Sequence, residues 1–191
     1  MIKKSLQGSN VEFLPLSADR WRDCESVFGP NGCYGCWCMW WRMTGKEFTT
    51  SGKEDHKNAL RTIVQKGLEP GLLAYVDGVP AAWVALAPRE AYLRLKTSRS
   101  LFAVDDQPVW VISCFFIHRN YRRLGLMGQL IEAACDFARG KGANLIEAFP
   151  LRVTEKTNSS SLYTGVESVF LEHGFAVAAT RNNRLILRKK L

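Results

Sequence analysis

No apolar run in this sequence approaches the ~20 residues that a helix needs to cross a bilayer. Residues 1–11 carry Lys3 and Lys4 but no apolar stretch after them, so no secretory leader is expected. These two absences predict a soluble, cytoplasmic protein. No internal repeat and no low-complexity segment interrupts the chain, which argues against a repeat array or a long disordered tract. Acidic residues are fewer than basic ones, 18 against 26, and histidine is limited to His56, His118 and His173. His56 and His173 are expected at the surface.

What remains is ordinary globular material. The chain of 191 residues is 47% hydrophobic and 23% charged. That predicts one domain over residues 1–191, with residues 1–10 as a flexible tail. A domain of this size buries about 70% of the surface its unfolded chain exposes, so it needs no disulfide or metal staple. The net charge of +8 favours polyanionic partners. However, the charge is spread between Lys3 and Lys4, Arg119, Arg122 and Arg123, and the last residues Arg184, Arg188, Lys189 and Lys190. Charge alone therefore selects no partner, and the basic termini read as solvated surface. Without a leader, the six cysteines read as thiols in a reducing compartment.

Periodicity and turn residues give a mixed α/β order. Strands are predicted over residues 11–15, 72–76, 81–87, 109–117, 144–149, 175–180 and 185–188. Helices are predicted from a Ser17 or Asp19 cap to about residue 28, over 53–66 with Gly67 as the stop, over 126–139, and over 165–173 behind a Thr164 cap. Asp77-Gly78 is a strong hairpin signal, because that turn needs positive φ. Residues 88–100 read as irregular or partly helical, residues 151–163 as a polar loop, and Asn182-Asn183 as the last turn. Residues 109–117 are almost continuously apolar, as in a central strand covered on both faces. The segment 33–42, Cys-Tyr-Gly-Cys-Trp-Cys-Met-Trp-Trp-Arg, is too aromatic for a solvated loop.

The strand 109–117 leads through His118-Arg119-Asn120-Tyr121 into Arg122-Arg123-Leu124-Gly125-Leu126-Met127-Gly128, and then directly into a helix. A helix start presents unpaired N–H groups and a partial positive charge, which suits phosphate. Gly125 and Gly128 let backbone approach a ligand, and Arg122 and Arg123 add fork-shaped cationic donors. On spacing alone, a simple strand-to-helix turn with two glycines fits equally well.

The run Ile117-His118-Arg119-Asn120-Tyr121-Arg122-Arg123-Leu124-Gly125-Leu126-Met127 resembles the cofactor motif of the GNAT acyltransferases, Arg/Gln-x-x-Gly-x-Gly/Ala after a strand. Residues 73–88 look like the hairpin before that family's cofactor strand. Glu172-His173-Gly174-Phe175 looks like the end of its last helix. The order of elements matches from about residue 11 to 191. A narrower likeness, in Cys36 to Arg42 with Val109-Trp110 and Cys114-Phe115-Phe116, is to a group of bacterial GNAT proteins and names no substrate.

The resemblance implies an α/β (α+β) single domain with a central mixed, largely antiparallel sheet flanked by helices. It implies transfer of an acetyl group from acetyl-CoA to a primary amine by direct attack. The acceptor would be a small molecule or a peptide; from the residues themselves no membrane partner and no metal are expected, nucleic acid is a disfavoured partner, and an acceptor carried on a nucleic acid stays open. A homodimer is compatible with this reading. The backbone of Phe115, Phe116 and Ile117 would pair with the pantetheine arm. Arg122, Arg123, Leu124, Gly125, Leu126, Met127 and Gly128 would hold the pyrophosphate.

Two residues depart from the family pattern. Met127 stands where Gly or Ala is usual, and is expected to point into the core. Phe170 stands where a Tyr general acid is frequent, and Phe cannot protonate a thiolate. Glu147 and Tyr163 are the catalytic candidates that remain. A Glu within Leu145-Ile146-Glu147-Ala148-Phe149 is costly to bury without a purpose or a partner, but a partly exposed edge or a salt bridge is the equal alternative. Tyr163 reads either as a proton donor or as packing.

Trp37, Cys38, Trp40 and Arg42 are expected to line the acceptor pocket, where aromatics suit a flat or cationic group and Arg42 an anionic one. Cys33-x-x-Cys36-x-Cys38 lacks a fourth zinc ligand at a familiar spacing, so the thiols read as core or pocket wall. A catalytically inactive acyl-CoA-binding protein and, less favoured, a nucleic-acid-binding module remain as alternatives.

Overall fold

The computed structural model describes residue 6 and residues 8–151, 159–182 and 184–191. Most of the expected tail, most of the 151–163 loop and Asn183 lie outside these residues. Seven strands form one sheet in the order β1-β2-β3-β4-β5-β7-β6. They are β1 Val11–Pro15, β2 Gly71–Val76, β3 Val79–Pro88, β4 Trp110–Ile117, β5 Leu145–Ala148, β6 Ala176–Arg181 and β7 Arg184–Lys190. Every neighbouring pair is antiparallel except β4 and β5. The sheet is thus mixed and largely antiparallel, with β4 at its centre, as the apolar run predicts.

Six α-helices complete the described fold: α1 Trp21–Phe28, α2 Gly45–Thr50, α3 Lys53–Gln65, α4 Leu93–Lys96, α5 Leu126–Gly140 and α6 Glu167–Glu172. None among the described residues is long and apolar enough to cross a membrane. On one face of the sheet, α5 buries Leu126, Leu130, Ile131, Ala134 and Ala138 at helical spacing against Val84, Ile112 and Phe115. On the other face, α1 and α3 bring Cys24, Val27, Phe28, Leu60 and Val64 against Leu73, Trp83 and Cys114. That second face continues as Trp41, Tyr92, Leu95 and Phe149 over Val111 and Ile186.

The β2–β3 turn forms as expected, with Asp77 at φ 51° and Gly78 at φ 77°. Helix α2 was not predicted, although Thr44 and Glu47 form a reciprocal capping box: Thr44 N–H donates to Glu47 Oε2 (2.8 Å) and Glu47 N–H to Thr44 Oγ1 (3.3 Å). Thr164 does not cap α6, whose N-cap is Val166. His56 corrects the expectation of a surface histidine, because it is buried. Its Nδ1 lies 2.7 Å from the Gly35 carbonyl and its Nε2 2.9 Å from Ser51 Oγ, so it pins the aromatic segment to α3.

Gly71 at the start of β2 has no room for a side chain, since a Cβ there would lie 2.2 Å from the Val84 carbonyl oxygen. Gly71→Ala must therefore push two paired strands apart. The expected loss is about 1–3 kcal/mol, measurable as a lower urea midpoint with an unchanged m-value.

Candidate functional site

The site begins with an irregularity in β4. Ala85 pairs with Cys114 and Leu86 with Ile112, so Ser113 is an extra residue. Such a bulge reverses the alternation of side chains. Ile112 faces α5, while Cys114, two residues later, faces α1 and α3. Beyond the bulge, Phe115 packs on the α5 face and Phe116 meets Phe28 on the other, ring centroids 5.8 Å apart.

Past the bulge, β4 loses one neighbour. Its pairing with β5 covers only Trp110, Val111 and Ile112, opposite Ile146, Glu147 and Ala148. The chain after β5 turns instead to Val166, which bridges Leu151. Residues 114–117 thus have β3 on one side and, on the other, a wedge where no strand pairs with them and the Ser159–Thr164 turn lies against β4. His118 N–H donates to the Ala81 carbonyl of β3 (3.0 Å). Because peptide groups alternate along a strand, those of Phe115 and Ile117 point away from β3, into the wedge. The Ile117 carbonyl accepts from Arg122 Nε (2.8 Å).

The loop after β4 ends at Gly125, which caps α5 in a left-handed conformation (φ 80°, ψ 2°) with no side-chain cap. Arg123 is also left-handed (φ 62°). The N–H groups of the N-cap Gly125 and of residues 126–128 have no internal acceptor, and no described residue caps them. Nothing within 4 Å would meet a Cβ at Gly125. Free donors, a positive helix end and an open approach together suit a diphosphate.

Gly128 plays a different part from the one its spacing implies. A Cβ there would come 2.3 Å from His173 Nε2, so this glycine lets α5 pack on the end of α6. Met127 turns toward the α5-side core, as expected, and leaves the loop uncrowded. Phe170, at the frequent Tyr position, is 0% exposed between Phe115 and Phe175.

The aromatic segment crosses the opposite face. Cys38 is buried with its Sγ 3.4 Å from Cys114 Sγ, and it accepts from Trp83 Nε1 (3.2 Å). Trp40 is half-buried, with the Arg94 guanidinium 3.7 Å from its ring. Arg42 donates to the Pro70 carbonyl (3.2 Å) and lies over the Tyr92 ring at 4.8 Å. Trp37 stacks on Trp21 and meets the edge of Phe28, and it also borders a cavity shared with Glu25, Pro30 and Lys57.

Tyr163 is packed against both clusters on this face. Burial above all, then the neighbouring Cys114, holds its phenol above the usual range, so it stays protonated. The Cys33 thiol is pushed up by a hydrogen bond with Cys38 and by burial, and the Cys38 thiol by its hydrogen bond to Cys114. At Cys114 that hydrogen bond acts downward and is the largest single effect, but burial together with the neighbouring Cys33 and Cys36 leaves the thiol raised.

Glu147 takes the salt-bridge alternative. It is 0% exposed, its Oε2 meets Arg89 Nη1 at 2.5 Å and its Oε1 meets Arg188 Nε at 2.8 Å. Arg188 also grips Asp105, which holds that carboxyl down at about 2. A carboxylate with both oxygens on guanidinium groups is poorly placed to take a proton from an amine. A cavity of about 420 Å³, lined by Pro88, Trp110, Lys141 and Lys190 among others, lies at the other end of β4 and β5, away from the wedge. Sequence reasoning passed over Ser113, Arg89 and Arg94. Their roles depend on partners 28 to 58 residues away, and no local pattern marks them.

A sequence model of the Acetyltransferase (GNAT) family matches residues 34–164, and the chain belongs to that family. No curated protein matches the sequence. Solved structures share the fold. PaiA N-acetyltransferase from Thermoplasma acidophilum, in complex with coenzyme A, is 16% identical and aligns over 95% of this chain and 99% of its own, with a TM-score of 0.55. The aminoglycoside N-acetyltransferase AAC(6')-Iy, in complex with CoA, is 17% identical over 95% of each chain, with a TM-score of 0.54. An uncharacterized protein from Bacillus halodurans is 15% identical over 97% of this chain and 86% of its own, with a TM-score of 0.58.

Two outcomes follow from this geometry. Glu147→Ala leaves the largely buried Arg89 without a carboxylate and Arg188 with Asp105 alone, and should cost about 3 kcal/mol in urea unfolding, while coenzyme A binding survives below the melting temperature. A thiol reagent should reach only the half-buried Cys33 and Cys36 in the native protein and all six cysteines in denaturant, as counted by mass spectrometry.

Proposed function

We propose that the protein is a cytoplasmic N-acetyltransferase that uses acetyl-CoA and acts on a primary amine. The observation that carries this reading is the continuity of an unpaired β4 edge with an uncapped helix start, in a chain of the GNAT family. Bound there, acetyl-CoA supplies an activated acetyl group. Residues 122–127 and the first turn of α5 hold the phosphates by their N–H groups. Phe115, Phe116 and Ile117 carry the arm along the strand. The Phe115 N–H faces the wedge and stabilises charge that builds on the carbonyl oxygen, an effect worth about 3 kcal/mol. Tyr163 holds a proton for the departing sulfur. Cys38, Trp40 and Arg42 wall the acceptor side, and the amine attacks in its neutral form with no covalent enzyme intermediate.

Coenzyme A binding measured by calorimetry, followed by thiol release with diamines, aminoglycosides and peptide α-amines, tests this reading. Gly125→Val should weaken coenzyme A binding by at least about tenfold, because a β-branched residue resists positive φ. Tyr163→Phe should lower kcat by about 10–100-fold and leave the KM for acetyl-CoA unchanged. With the phenol held above its usual range, the rate should rise as the amine deprotonates and should not fall before about pH 10. Trp40→Ala and Arg42→Ala should impair the acceptor KM and spare acetyl-CoA; equal loss of both would count against the pocket. The buried Phe170 favours one second reading, an acyl-CoA-binding protein without turnover. Tight coenzyme A binding with no reaction on any of these amines would establish it.

A further inference from the structure

Three cysteines form a line from the surface to the central strand. Cys33 is half-buried and its thiol hydrogen-bonds Cys38. Cys38 is buried, and its thiol donates in turn to Cys114 Sγ on β4, 3.4 Å away. Two sulfurs at that distance are in contact, so a bond between them needs only a small movement of each side chain. The function proposed above uses none of the three thiols as a reactive group.

The backbone is bent to make this line. Cys33, Tyr34, Trp37 and Cys38 all have φ between 46° and 60°, a region that is costly for any residue with a side chain. The bend is held from several sides. Cys33 N–H donates to the Phe28 carbonyl (3.3 Å), Trp37 N–H donates to the Gly32 carbonyl (3.1 Å), and His56 pins Gly35. Its result is the approach of Cys33 to Cys38. From the other side, the β4 bulge turns Cys114 away from α5 and toward the same point. Two departures from regular backbone therefore meet at one pair of sulfurs. Trp83 Nε1 donates to Cys38 Sγ (3.2 Å), and a donor aimed at a sulfur steadies the negative charge it carries while attacking.

We propose that Cys33, Cys38 and Cys114 are a thiol relay that passes oxidation by a small-molecule disulfide inward and ends as a Cys38–Cys114 disulfide. First Cys33 gives up its proton and its sulfur attacks the small disulfide. That sulfur–sulfur bond breaks, a mixed disulfide forms, and the leaving thiolate takes the proton. Cys38 then attacks the Cys33 sulfur and releases the second small thiol in the same way. Cys114 attacks the Cys38 sulfur, and Cys33 leaves and recovers a proton. In sum, two protein thiols and one small disulfide become one protein disulfide and two small thiols, with two electrons passed to the small molecule. The new bond joins residues 76 positions apart and clasps the aromatic segment to the central strand. Thiols held protonated by burial and by one another exchange slowly, over hours. No step needs acetyl-CoA, so the relay stands apart from the acyltransferase reading.

The reduced protein is incubated with oxidised glutathione, its remaining thiols are alkylated in denaturant, and unreduced peptides are mapped by mass spectrometry. Wild type should lose two alkylatable thiols and yield a peptide pair joined through Cys38 and Cys114, and dithiothreitol should restore both thiols. Cys33→Ser should form the same pair at least about tenfold more slowly, because the entry thiol is gone. The oxidised wild type should unfold at a higher urea concentration than the reduced one, since the bond restricts the denatured chain. Glutathione held only on Cys33 or Cys36, a Cys33–Cys36 bond as the end product, or no oxidation at all would overturn the relay. So would a Cys33→Ser variant that oxidises at the wild-type rate. An oxidised wild type that unfolds at lower urea than the reduced one would mark the bond as damage to the fold, and the clasp would fall with it.

Discussion

One inserted residue governs the geometry of the site. Ser113 breaks the two-residue alternation of β4, and every side chain after it is reassigned. Without the bulge, Cys114 would share the α5 face with Ile112, and Phe115 would leave its place beside Phe170. With it, Cys114 and Phe116 close the core under α1, while Phe115 and Ile117 turn their peptides into the wedge. The bulge falls one residue beyond the last β4–β5 pair, so reassignment and strand separation coincide.

At the root of the wedge stands a charged clamp. Glu147 is paired in register with Val111 of β4 and Arg188 of β7, just where the strands are about to part. Arg89, from the turn after β3, reaches it from the other side and also donates to the Leu101 carbonyl. A parallel pair of only three registered residues is a weak seam. The ion pairs join the segments following β3 and preceding β4 to β5 and β7, and so keep the split from running down the sheet. This accounts for a carboxylate buried in an apolar strand without giving it a proton to move.

Local chemistry made much of this legible in the sequence. The Asp77-Gly78 turn, the apolar run of β4, the periodicity of α5 and the glycine at its start each depend on neighbours within a few residues. The resemblance in residues 117–127 then named the family. Long-range features stayed hidden. Glu147 could be read as a base or an ion pair until Arg89 and Arg188 were seen beside it. Gly128 looks like a phosphate glycine on spacing, but it answers to His173, 45 positions away. His56 looks like a surface residue until Gly35 and Ser51 meet its two nitrogens. The Thr44–Glu47 capping box is a local signal too, but the six-residue helix behind it buries no residue and so carries no apolar periodicity.

The row of protonated thiols on the second face has a chemical consequence for an activated acyl group. A thioester placed near Cys114 is exposed to transthioesterification, in which a thiolate captures the acyl chain and leaves the enzyme acylated. Against the downward pull of its hydrogen bond with Cys38, burial together with Cys33 and Cys36 holds the Cys114 thiol up, and Cys38 beside it is held up by their mutual hydrogen bond. Both sulfurs then serve as soft, apolar packing in the core under α1.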